Sequence, residues 1–430
     1  MKKTITKVAL IATLSLSTGV LLAQTAHATE GVSTTGIALK SSVVVNTYEE
    51  LATALKDVSI SEIIVNNNIT FPKAITGVPA RNVRIYGSKD KAITINLGKY
   101  WIKGNSIKNS DSNAVMTLEN ANIVGYRKLA TFLKGEKGWD FVSKNNDFNG
   151  ESLVQLNNGH LTFEGTNNMD AEDEIGWVNH VTFAENSVLN GVAANSGHDR
   201  SAFRFKGTYA NGYGGIVTLE DNSEVNLEVK NKARAAFNGK VNKVNIGTRA
   251  ILNINTDGTA IEFEKSSLHK TNPEFNVGES AIVSVKSNGE AKVAKPAISF
   301  KQPGSQFNMA SQATVNIIGT AATGVIESAK DTNFNFDNAA RLVVENETIG
   351  SPVFSTKQTF ATSFNISGDF LTVNAWDKQT VRAGSWDILS NTTFNVNKGA
   401  TSTIVSDFEK FVEEFKVENY GKIVIENGGF

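Results

Sequence analysis

Short runs of alternating apolar and polar residues recur along the chain at intervals of roughly 20 to 36 residues. Each copy starts with an aromatic residue or Val, continues with a polar residue, usually Asn, and ends with an apolar residue. The copies are residues 244–246, 275–277, 307–309, 334–336, 364–366 and 394–396, with looser ones at Val181 and Val217 and a final one at Phe415. Further strand-like runs follow each copy, so each repeat predicts three short strands.

This repeat predicts the fold class. Three short strands per repeat, stacked on those of the next repeat, are typical of a parallel β-helix. Alternation places Phe and Val inside the coil and Asn outside it. We therefore expect an all-β, right-handed, single-stranded parallel β-helix (a solenoid), with the handedness taken from the rule for parallel crossovers. The alternative is an array of antiparallel sandwiches, which would need regular tight hairpins, and few Asn-Gly turns lie between the paired runs.

The repeated Asn is the most regular polar feature of the chain. It occupies Asn245, Asn276, Asn308, Asn335, Asn365 and Asn395. Amide side chains on stacked strands can hydrogen-bond to one another along the stack. We expect such an amide ladder here; the alternative interpretation is a polar track that faces a glycan.

An amphipathic helix is predicted just before the first strands. Thr47 and Glu50 have the spacing of a capping box. Apolar residues then follow at helical spacing and form one face; they are Tyr48, Leu51, Ala52, Leu55 and Val58. We expect this capping helix, over about residues 47–58, to cover the open end of the β-helix and protect its unpaired strand edges.

The first 28 residues have the pattern of a secretory signal peptide. Three lysines precede an apolar stretch, and Ala28 closes a small-x-small cleavage pattern. We expect cleavage after Ala28, a flexible mature amino terminus over residues 29–42, and a β-helix domain over residues 43–430. The mature protein would be secreted without stable membrane insertion, because no later stretch is long and apolar enough to span a bilayer.

Composition narrows the function classes. The chain of 430 residues has no Cys, which excludes disulfides, thiol catalysis and thiolate metal sites. Its 42 basic and 43 acidic residues give a net charge of −1, so no overall field attracts nucleic acid or an anionic membrane. A secreted protein without Cys fits export from a Gram-positive cell, where disulfides are little used.

Five short segments carry a family resemblance. They read NTYEEL, IIV, NIT, VRIYG and ITI, at residues 46–51, 63–65, 68–70, 83–87 and 93–95. They resemble the start of the pectate-lyase-like adhesive domain of Gram-positive surface proteins. The resemblance extends as a general pattern to about residue 430, but only the segment from the helix to the first strands is specific. It implies a parallel β-helix displayed at the cell surface with a role in adhesion; it does not imply lyase activity.

An acidic cluster, residues 170–174, provides the best candidate for catalysis. A lyase acting on uronates would need carboxylates, with Ca²⁺ as its cofactor, and a basic residue to abstract a proton. The candidates are Asp170, Asp173, Asp199, Arg200 and Arg204. This reading requires them to converge in one groove. The alternative, which we favour, is a solvated acidic loop. No motif for a resident metal occurs.

A glycoside hydrolase would need two carboxylates across the scissile bond. Residues 255–258, NTDG, resemble one polygalacturonase motif, but no adjacent pair of aspartates follows it. We interpret this segment as a turn between strands. Outside the signal peptide, His160, His180, His198 and His269 are scattered along the sequence, and we expect no shared role for them.

The stretch from about residue 127 to 215 has long loops with exposed aromatic candidates. Long loops on a solenoid often form its binding face, and aromatic faces suit sugar rings. The candidate ligand-binding residues are Trp139, Trp177, Tyr209 and Tyr213. The alternative is that these side chains pack the loops onto the β-helix.

Together these features favour a non-catalytic, secreted or cell-surface, adhesin-like protein that binds a polysaccharide, a wall component or a host surface. The first alternative is a polysaccharide lyase or glycoside hydrolase, and the second is a wall-associated scaffold subunit. No sortase L-P-x-T-G signal or W-x-L pair occurs near the carboxyl end. A cell-wall-anchored partner protein could therefore hold the protein at the surface.

Overall fold

The computed structural model describes residues 42–87, 93–107, 113–194, 201–205, 214–230, 235–238, 240–266, 271–290, 294–355, 362–366, 370–389, 392–395, 399–402, 411, 415–416 and 419–428. All of them lie in one compact unit, Leu39–Phe430. Within the described residues, no helix is long and apolar enough to cross a membrane.

One helix and 38 strands make up this part of the chain. The helix is α1 (Tyr48–Lys56). The strands are β1 (Val43–Val45), β2 (Glu62–Val65), β3 (Ile69–Thr70), β4 (Ile75–Val78), β5 (Val83–Gly87), β6 (Ile93–Gly98), β7 (Ile102–Gly104), β8 (Ala114–Glu119), β9 (Ala121–Gly125), β10 (Thr131–Gly135), β11 (Trp139–Lys144), β12 (Asp147–Gly150), β13 (Ser152–Leu156), β14 (His160–Glu164), β15 (Thr166–Ala171), β16 (Gly176–Val178), β17 (His180–Phe183), β18 (Val188–Ala193), β19 (Phe203–Phe205), β20 (Gly215–Leu219), β21 (Glu224–Val229), β22 (Val241–Ile246), β23 (Ile251–Thr256), β24 (Ile261–Phe263), β25 (Glu274–Val277), β26 (Ile282–Ser287), β27 (Ile298–Phe300), β28 (Gln306–Met309), β29 (Thr314–Gly319), β30 (Ile326–Ser328), β31 (Thr332–Phe336), β32 (Arg341–Asn346), β33 (Thr362–Ile366), β34 (Phe370–Asp377), β35 (Arg382–Leu389), β36 (Thr392–Asn395), β37 (Gly399–Ser402) and β38 (Tyr420–Asn427).

The strands form long stacked sheets, as predicted for a parallel β-helix. Sheet 1 has the order β1-β2-β5-β8-β11-β14-β17-β20-β22-β25-β28-β31-β33-β36-β37, and sheet 2 has the order β3-β6-β9-β12-β15-β18-β21-β23-β26-β29-β32-β38-β34-β35. Sheet 3 (β4, β7, β10, β13, β16, β19) and sheet 4 (β24, β27, β30) form the third side. From β1 to β33 every strand pair of sheet 1 is parallel, so the predicted fold class is confirmed. Its right-handed sense stays a prediction from the crossover rule.

Stacked aromatic rings fill the interior of the later rungs. Phe275 and Phe307 are parallel with ring centroids 4.9 Å apart, and Phe334 and Phe364 stack at 5.0 Å. Phe300, from sheet 4, meets Phe334 edge-on at 6.0 Å. The strand alternation predicted from the sequence therefore places Phe inside, where burial of each ring stabilises the fold by roughly 2–3 kcal/mol.

The predicted amide ladder is present on the outer face of sheet 1. Each Asn donates a hydrogen bond from Nδ2 to Oδ1 of the Asn on the preceding rung. The distances are 2.9 Å for Asn276 to Asn245, 2.7 Å for Asn308 to Asn276, 2.6 Å for Asn335 to Asn308 and 2.7 Å for Asn365 to Asn335. Asn395 does not continue the register, because its strand runs antiparallel to β33 and its backbone pairs with Ser363.

Antiparallel strands at the carboxyl end replace the parallel rungs predicted there. β36 pairs antiparallel with β33 and β37, and β38 lies antiparallel between β32 and β34. Residues 415–416, expected to begin a last rung, lie in no strand. Sequence alternation could not distinguish these cases, because side chains have a period of two in parallel and antiparallel strands alike.

The bend between sheets 1 and 2 has the same backbone conformation on successive rungs. One residue at each bend from β8–β9 to β31–β32 has a positive φ, for example 57° at Asn120, 53° at Asn145, 61° at Gly165 and 58° at Asn186. Asn and Gly tolerate this left-handed conformation, which explains their frequency at these positions. At one bend the buried Asn146 donates to Leu118 O at 2.8 Å and accepts from Ala121 N at 2.9 Å, so both ends of its side-chain amide are hydrogen-bonded.

The predicted capping helix is confirmed, with three differences. Thr47 Oγ1 accepts from Glu50 N at 3.2 Å, but Glu50 Oε2 accepts from Asn46 N, at 2.6 Å, rather than from the Thr47 amide. Strand β1 precedes the helix and pairs with β2, so the helix is inserted after the first strand. The helix ends at Lys56, which leaves Val58 48 % exposed outside its apolar face.

Arg81 closes the carboxyl end of this helix. Its guanidinium donates to Ala54 O at 3.0 Å, Leu55 O at 2.9 Å and Ile60 O at 2.9 Å. We expect Arg81→Ala to lower the free energy of unfolding by about 1–3 kcal/mol, because these carbonyls lose charged donors in a half-buried site. Urea unfolding followed by circular dichroism measures it. Exposed Lys56 is the control: Lys56→Ala should change stability by less than about 0.5 kcal/mol. Equal effects of both variants would contradict the capping role.

Candidate functional site

The outer face of sheet 2 carries a continuous row of polar side chains, here called the amide row. Strand register aligns one residue from each of eight successive strands, β9 to β29. They are Asn122, Asp147, Asn168, Asn190, Asn226, Asn253, Ser284 and Asn316. At ~4.8 Å per strand the row is roughly 34 Å long. It is distinct from the predicted ladder, which lies on sheet 1.

Hydrogen bonds connect the middle of the amide row in one direction. Nδ2 of Asn253 donates to Asn226 at 2.8 Å, and Asn226 donates to Asn190 at 3.0 Å. Asn190 donates to Asn168 at 2.9 Å, and Asn168 donates to the Asp147 carboxylate at 2.7 Å. Asn168 and Asn190 each use one N–H and one lone pair in this chain, so each keeps a second donor and a second acceptor site, whereas Asn226 donates its second N–H to Glu224 Oε1 at 2.8 Å.

A second outward row lies two residues further along the same strands. It contains Asn149, Asp170, Val192, Glu228, Asn255, Lys286 and Ile318. The two rows and the backbone between them form a groove with a volume of about 880 Å³. Its lining is thus mainly amide and backbone, with a few charges and aliphatic side chains.

The turn after β9 lies at the early end of this groove. Its Arg127 binds both oxygens of Asp170, at 2.6 and 2.9 Å, and contacts Glu172 at 3.0 Å. In the same turn, Tyr126 is 69 % exposed and Leu129 is 50 % exposed. An exposed aromatic ring beside a polar groove is a suitable surface for stacking on a sugar.

The acidic cluster is not the solvated loop that the sequence predicted. Glu172, Asp173 and Glu174 are buried, with 6, 8 and 2 % exposure. The chain turns from β15 towards β16 at this point, and the backbone amides of residues 172 and 173 bond to the preceding rung at 2.8 and 3.0 Å. Fixed in this corner, the carboxylates meet Arg127 and Arg204. Spacing within five residues could not reveal this, because the partners come from other rungs.

The proposed catalytic residues do not share one set of contacts. Asp170 is paired with Arg127, whereas Arg204 lies 3.6 Å from Glu174 and stacks over Trp177 at 4.4 Å. Asp199 and Arg200 lie outside the described residues. Hydrogen bonding to Asp170 raises the pKa of Arg127 above its ordinary value, which opposes any role as a proton-abstracting base.

The aromatic candidates separate into packed and exterior residues. Trp139 is fully buried, and its Nε1 donates to Asn105 O at 2.8 Å. Its prediction as a ligand-binding residue is wrong, because β11 turns this ring into the core. Trp177 is half-buried on the outer face of sheet 3 under the Arg204 guanidinium. Tyr209 and Tyr213 lie outside the described residues.

Two histidines that are scattered in the sequence are neighbours in the fold. His160 and His180 occupy equivalent positions on β14 and β17, with ring centroids 6.0 Å apart. Burial and the neighbouring His160 lower the pKa of His180 to about 4. His198 and His269 lie outside the described residues, and within the described ones no group of three His, Cys, Asp or Glu is placed to hold a metal ion.

Sequence reasoning missed the amide row, although a signal was present. Asn follows Leu or Val in Leu189-Asn190, Val225-Asn226, Leu252-Asn253 and Val315-Asn316. These pairs belong to the second strand of each repeat, and the more conspicuous Phe-Asn pairs of the first strand masked them. The predicted turn at 255–258 is confirmed only in its second half. Asn255 and Thr256 are the last residues of strand β23, and the chain bends at residues 257–258, where the Gly258 amide donates to Thr256 Oγ1 at 3.1 Å.

Comparison with known proteins finds a family match for the amino-terminal rungs. Residues 42–172 match a family model described as "Putative pectate lyase-like adhesive domain". This confirms the resemblance seen in the sequence over that segment, which contains α1 and the groove strands β9, β12 and β15. The remaining groove strands lie beyond the matched residues.

Two solved structures show limited similarity. One, named "L. reuters 100-23 SRRP", is 18 % identical, with 69 % of this chain and 84 % of that chain covered and a TM-score of 0.42. The other, "L. reuteri 53608 SRRP", is 17 % identical, with 75 % of this chain and 98 % of that chain covered and a TM-score of 0.35. No curated protein matches the chain.

Proposed function

We propose that this protein is a secreted, adhesin-like binding protein that holds a polymer chain along the groove of sheet 2. The observation that carries the proposal is the amide row, which presents the same donor–acceptor chemistry on successive rungs. The match of residues 42–172 to an adhesive-domain family supports it. Export by the predicted signal peptide would bring the groove to wall or host glycans.

The contacts within this site favour binding over catalysis. Asp170, which lines the groove, and the neighbouring Glu172 are both engaged by Arg127. A general acid or base has to exchange protons during turnover, whereas both carboxylate oxygens of Asp170 are occupied by the bidentate Arg127. The repeated amides, in contrast, are already arranged to accept a polymer with a regular repeat.

Replacing one amide in the centre of the groove tests this function. We expect Asn226→Ala to weaken binding of the polymer at least tenfold, because it interrupts the chain between Asn253 and Asn190 and removes an outward acceptor. Binding would be measured by calorimetry or by co-sedimentation with insoluble glycans.

Asn308→Ala is the matched control. Asn308 is also half-buried in the centre of a ladder, donating to Asn276 at 2.7 Å and accepting from Asn335 at 2.6 Å, but on sheet 1. Both variants should lose similar stability, about 1 kcal/mol. Only Asn226→Ala should lose binding. Loss of binding in both, or in neither, would contradict a binding site in this groove.

A further inference from the structure

The groove carries an excess of negative charge. Its lining includes three carboxylates, Asp147, Asp170 and Glu228, and one ammonium group, Lys286. Their ion-pair partners outside the lining add two cations, Arg127 and Lys230, and two further carboxylates, on Glu172 and Glu347. The site therefore keeps two more negative than positive charges with or without these neighbours.

We propose that the groove binds an uncharged, hydroxyl-rich polysaccharide and rejects polyanions such as polyuronates. The proposal rests on the proposed function and names the class of polymer. The proposed ligand differs from the polyuronate that the words "pectate lyase-like" suggest. The argument has two parts, one from hydrogen-bond chemistry and one from charge.

The hydrogen-bonding groups of the amide row suit hydroxyls. Asn168 and Asn190 each present a remaining N–H donor and a remaining Oδ1 lone pair, and Asn226 presents a remaining Oδ1 lone pair, at a repeat of ~4.8 Å along the groove. A hydroxyl both donates and accepts, so it satisfies both sites. A carboxylate only accepts, and it would face the amide oxygens without a proton to share. One sugar of an extended chain advances by a length comparable to one rung.

The carboxylates oppose a polyanion along the groove. Asp147 and Glu228 are exposed and lie three strands apart, and Asp170 is between them. A polymer carboxylate bound beside any one of them would lie within the Debye length of roughly 8 Å at physiological salt, so the repulsion would be incompletely screened. Each close pair of like charges lowers affinity by about fivefold.

A polycation is a poorer match than a neutral chain, although it has the opposite charge. Asp170 already binds Arg127 at 2.6 Å, and Glu228 lies 3.3 Å from Lys230. An ammonium-bearing polymer would have to displace these pairs. Lys286, which lines the groove, would also repel it.

Matched chains that differ only in charge test this inference. The probes are neutral glucan, mannan and galactan chains, the same chains with C6 oxidised to carboxylate, and an amino-substituted glucan, with and without Ca²⁺. We expect a neutral chain to bind at least tenfold more tightly than its oxidised form, with little dependence on salt. Asp147→Asn with Glu228→Gln should reduce this preference to less than threefold by improving binding of the oxidised chain. Glu136→Gln, next to β10 on another face, should leave the preference unchanged.

The failures of the two proposals are distinguishable. If an oxidised or amino-substituted chain binds as tightly as the neutral one, and Asn226→Ala abolishes that binding, the uncharged ligand is wrong and the groove function stands. If the double variant leaves the preference intact, the carboxylates do not set it and the inference is overturned. If no chain of any class binds, or if Asn226→Ala has no effect, both proposals are overturned.

Discussion

Phe334→Ala is expected to lower the free energy of unfolding by about 3–5 kcal/mol, the range for a large ring removed from a packed core. Phe334 is fully buried at a crossing of several rings. Its centroid lies 5.2 Å from Phe307, 5.0 Å from Phe364, 6.0 Å from Phe300 and 5.9 Å from Phe354. Neighbouring rungs cannot collapse into the cavity, because the sheets on all sides hold their strands at fixed spacing.

Chemical denaturation with tryptophan fluorescence and circular dichroism measures this effect. Leu129→Ala is the control, since Leu129 is an apolar side chain that is 50 % exposed and should contribute less than about 0.5 kcal/mol. Phe334→Leu should fall between the two, because it leaves a smaller cavity. A loss below about 1 kcal/mol for Phe334→Ala would mean that the aromatic stack does not hold the late rungs together.

Periodicity explains why so much of the fold could be predicted. Each rung has the same alternation, with Phe or Val buried and Asn exposed, so the strand predicted for one rung also holds for its neighbours. Phe275-Asn276 and Phe307-Asn308 therefore revealed both the interior stack and the exterior ladder.

Interactions between rungs could not be predicted in the same way. Arg127 meets Asp170 and Glu172 across 43 and 45 residues, a distance set by how many residues each turn happens to contain. His160 and His180 pair because one turn there has 20 residues. A motif search reads neighbours along the chain, whereas this fold makes neighbours of residues one turn apart.

The candidate site likewise combines features that the sequence pattern reveals with features that only the pairing of rungs reveals. Trp139 was predicted from its residue type and its position in a loop-rich region, but a loop-rich stretch still contains strands, and its strand places the ring inside. The amide row needed only the strand register, since the Asn residues of β18, β21 and β23 differ in their sequence spacing but share one line on sheet 2. The number of residues per turn varies, whereas the pairing of the strands in sheet 2 keeps these residues in one line. The groove can therefore be recognised only when the strands are compared by their register.

The histidine pair should make the protein sensitive to mild acid. Burial lowers the pKa of His160 and, together with the neighbouring His160, lowers that of His180 to about 4. The carboxylates of Asp140, near both rings, and of Glu220, near His160, act in the opposite direction without cancelling this effect. The Ile216 amide donates to His180 Nδ1 at 3.2 Å, so protonation there would also remove a hydrogen bond.

The neutral state of His180 fits its surroundings in one tautomer. Nδ1 accepts from Ile216, so the proton belongs on Nε2, which lies 2.9 Å from the Asn179 amide nitrogen. Asn179 Oδ1 is buried and has no hydrogen-bond partner. Exchanging the oxygen and nitrogen of that amide lets Nε2–H donate to Oδ1 and satisfies both residues. A second proton on His180 would have no acceptor.

Stability should therefore fall as the pH drops from about 6.5 to about 4. In this window the unfolded chain binds a proton at His180 and the folded chain does not, so protonation favours unfolding. The shift corresponds to about 3 kcal/mol for His180 alone. Urea midpoints at fixed ionic strength, taken from pH 7 to pH 4, measure the fall. His180→Asn keeps an acceptor for the Ile216 amide but cannot titrate, so it should remove more than half of the slope. A wild-type slope that the variant retains would show that groups other than His180 set the acid sensitivity.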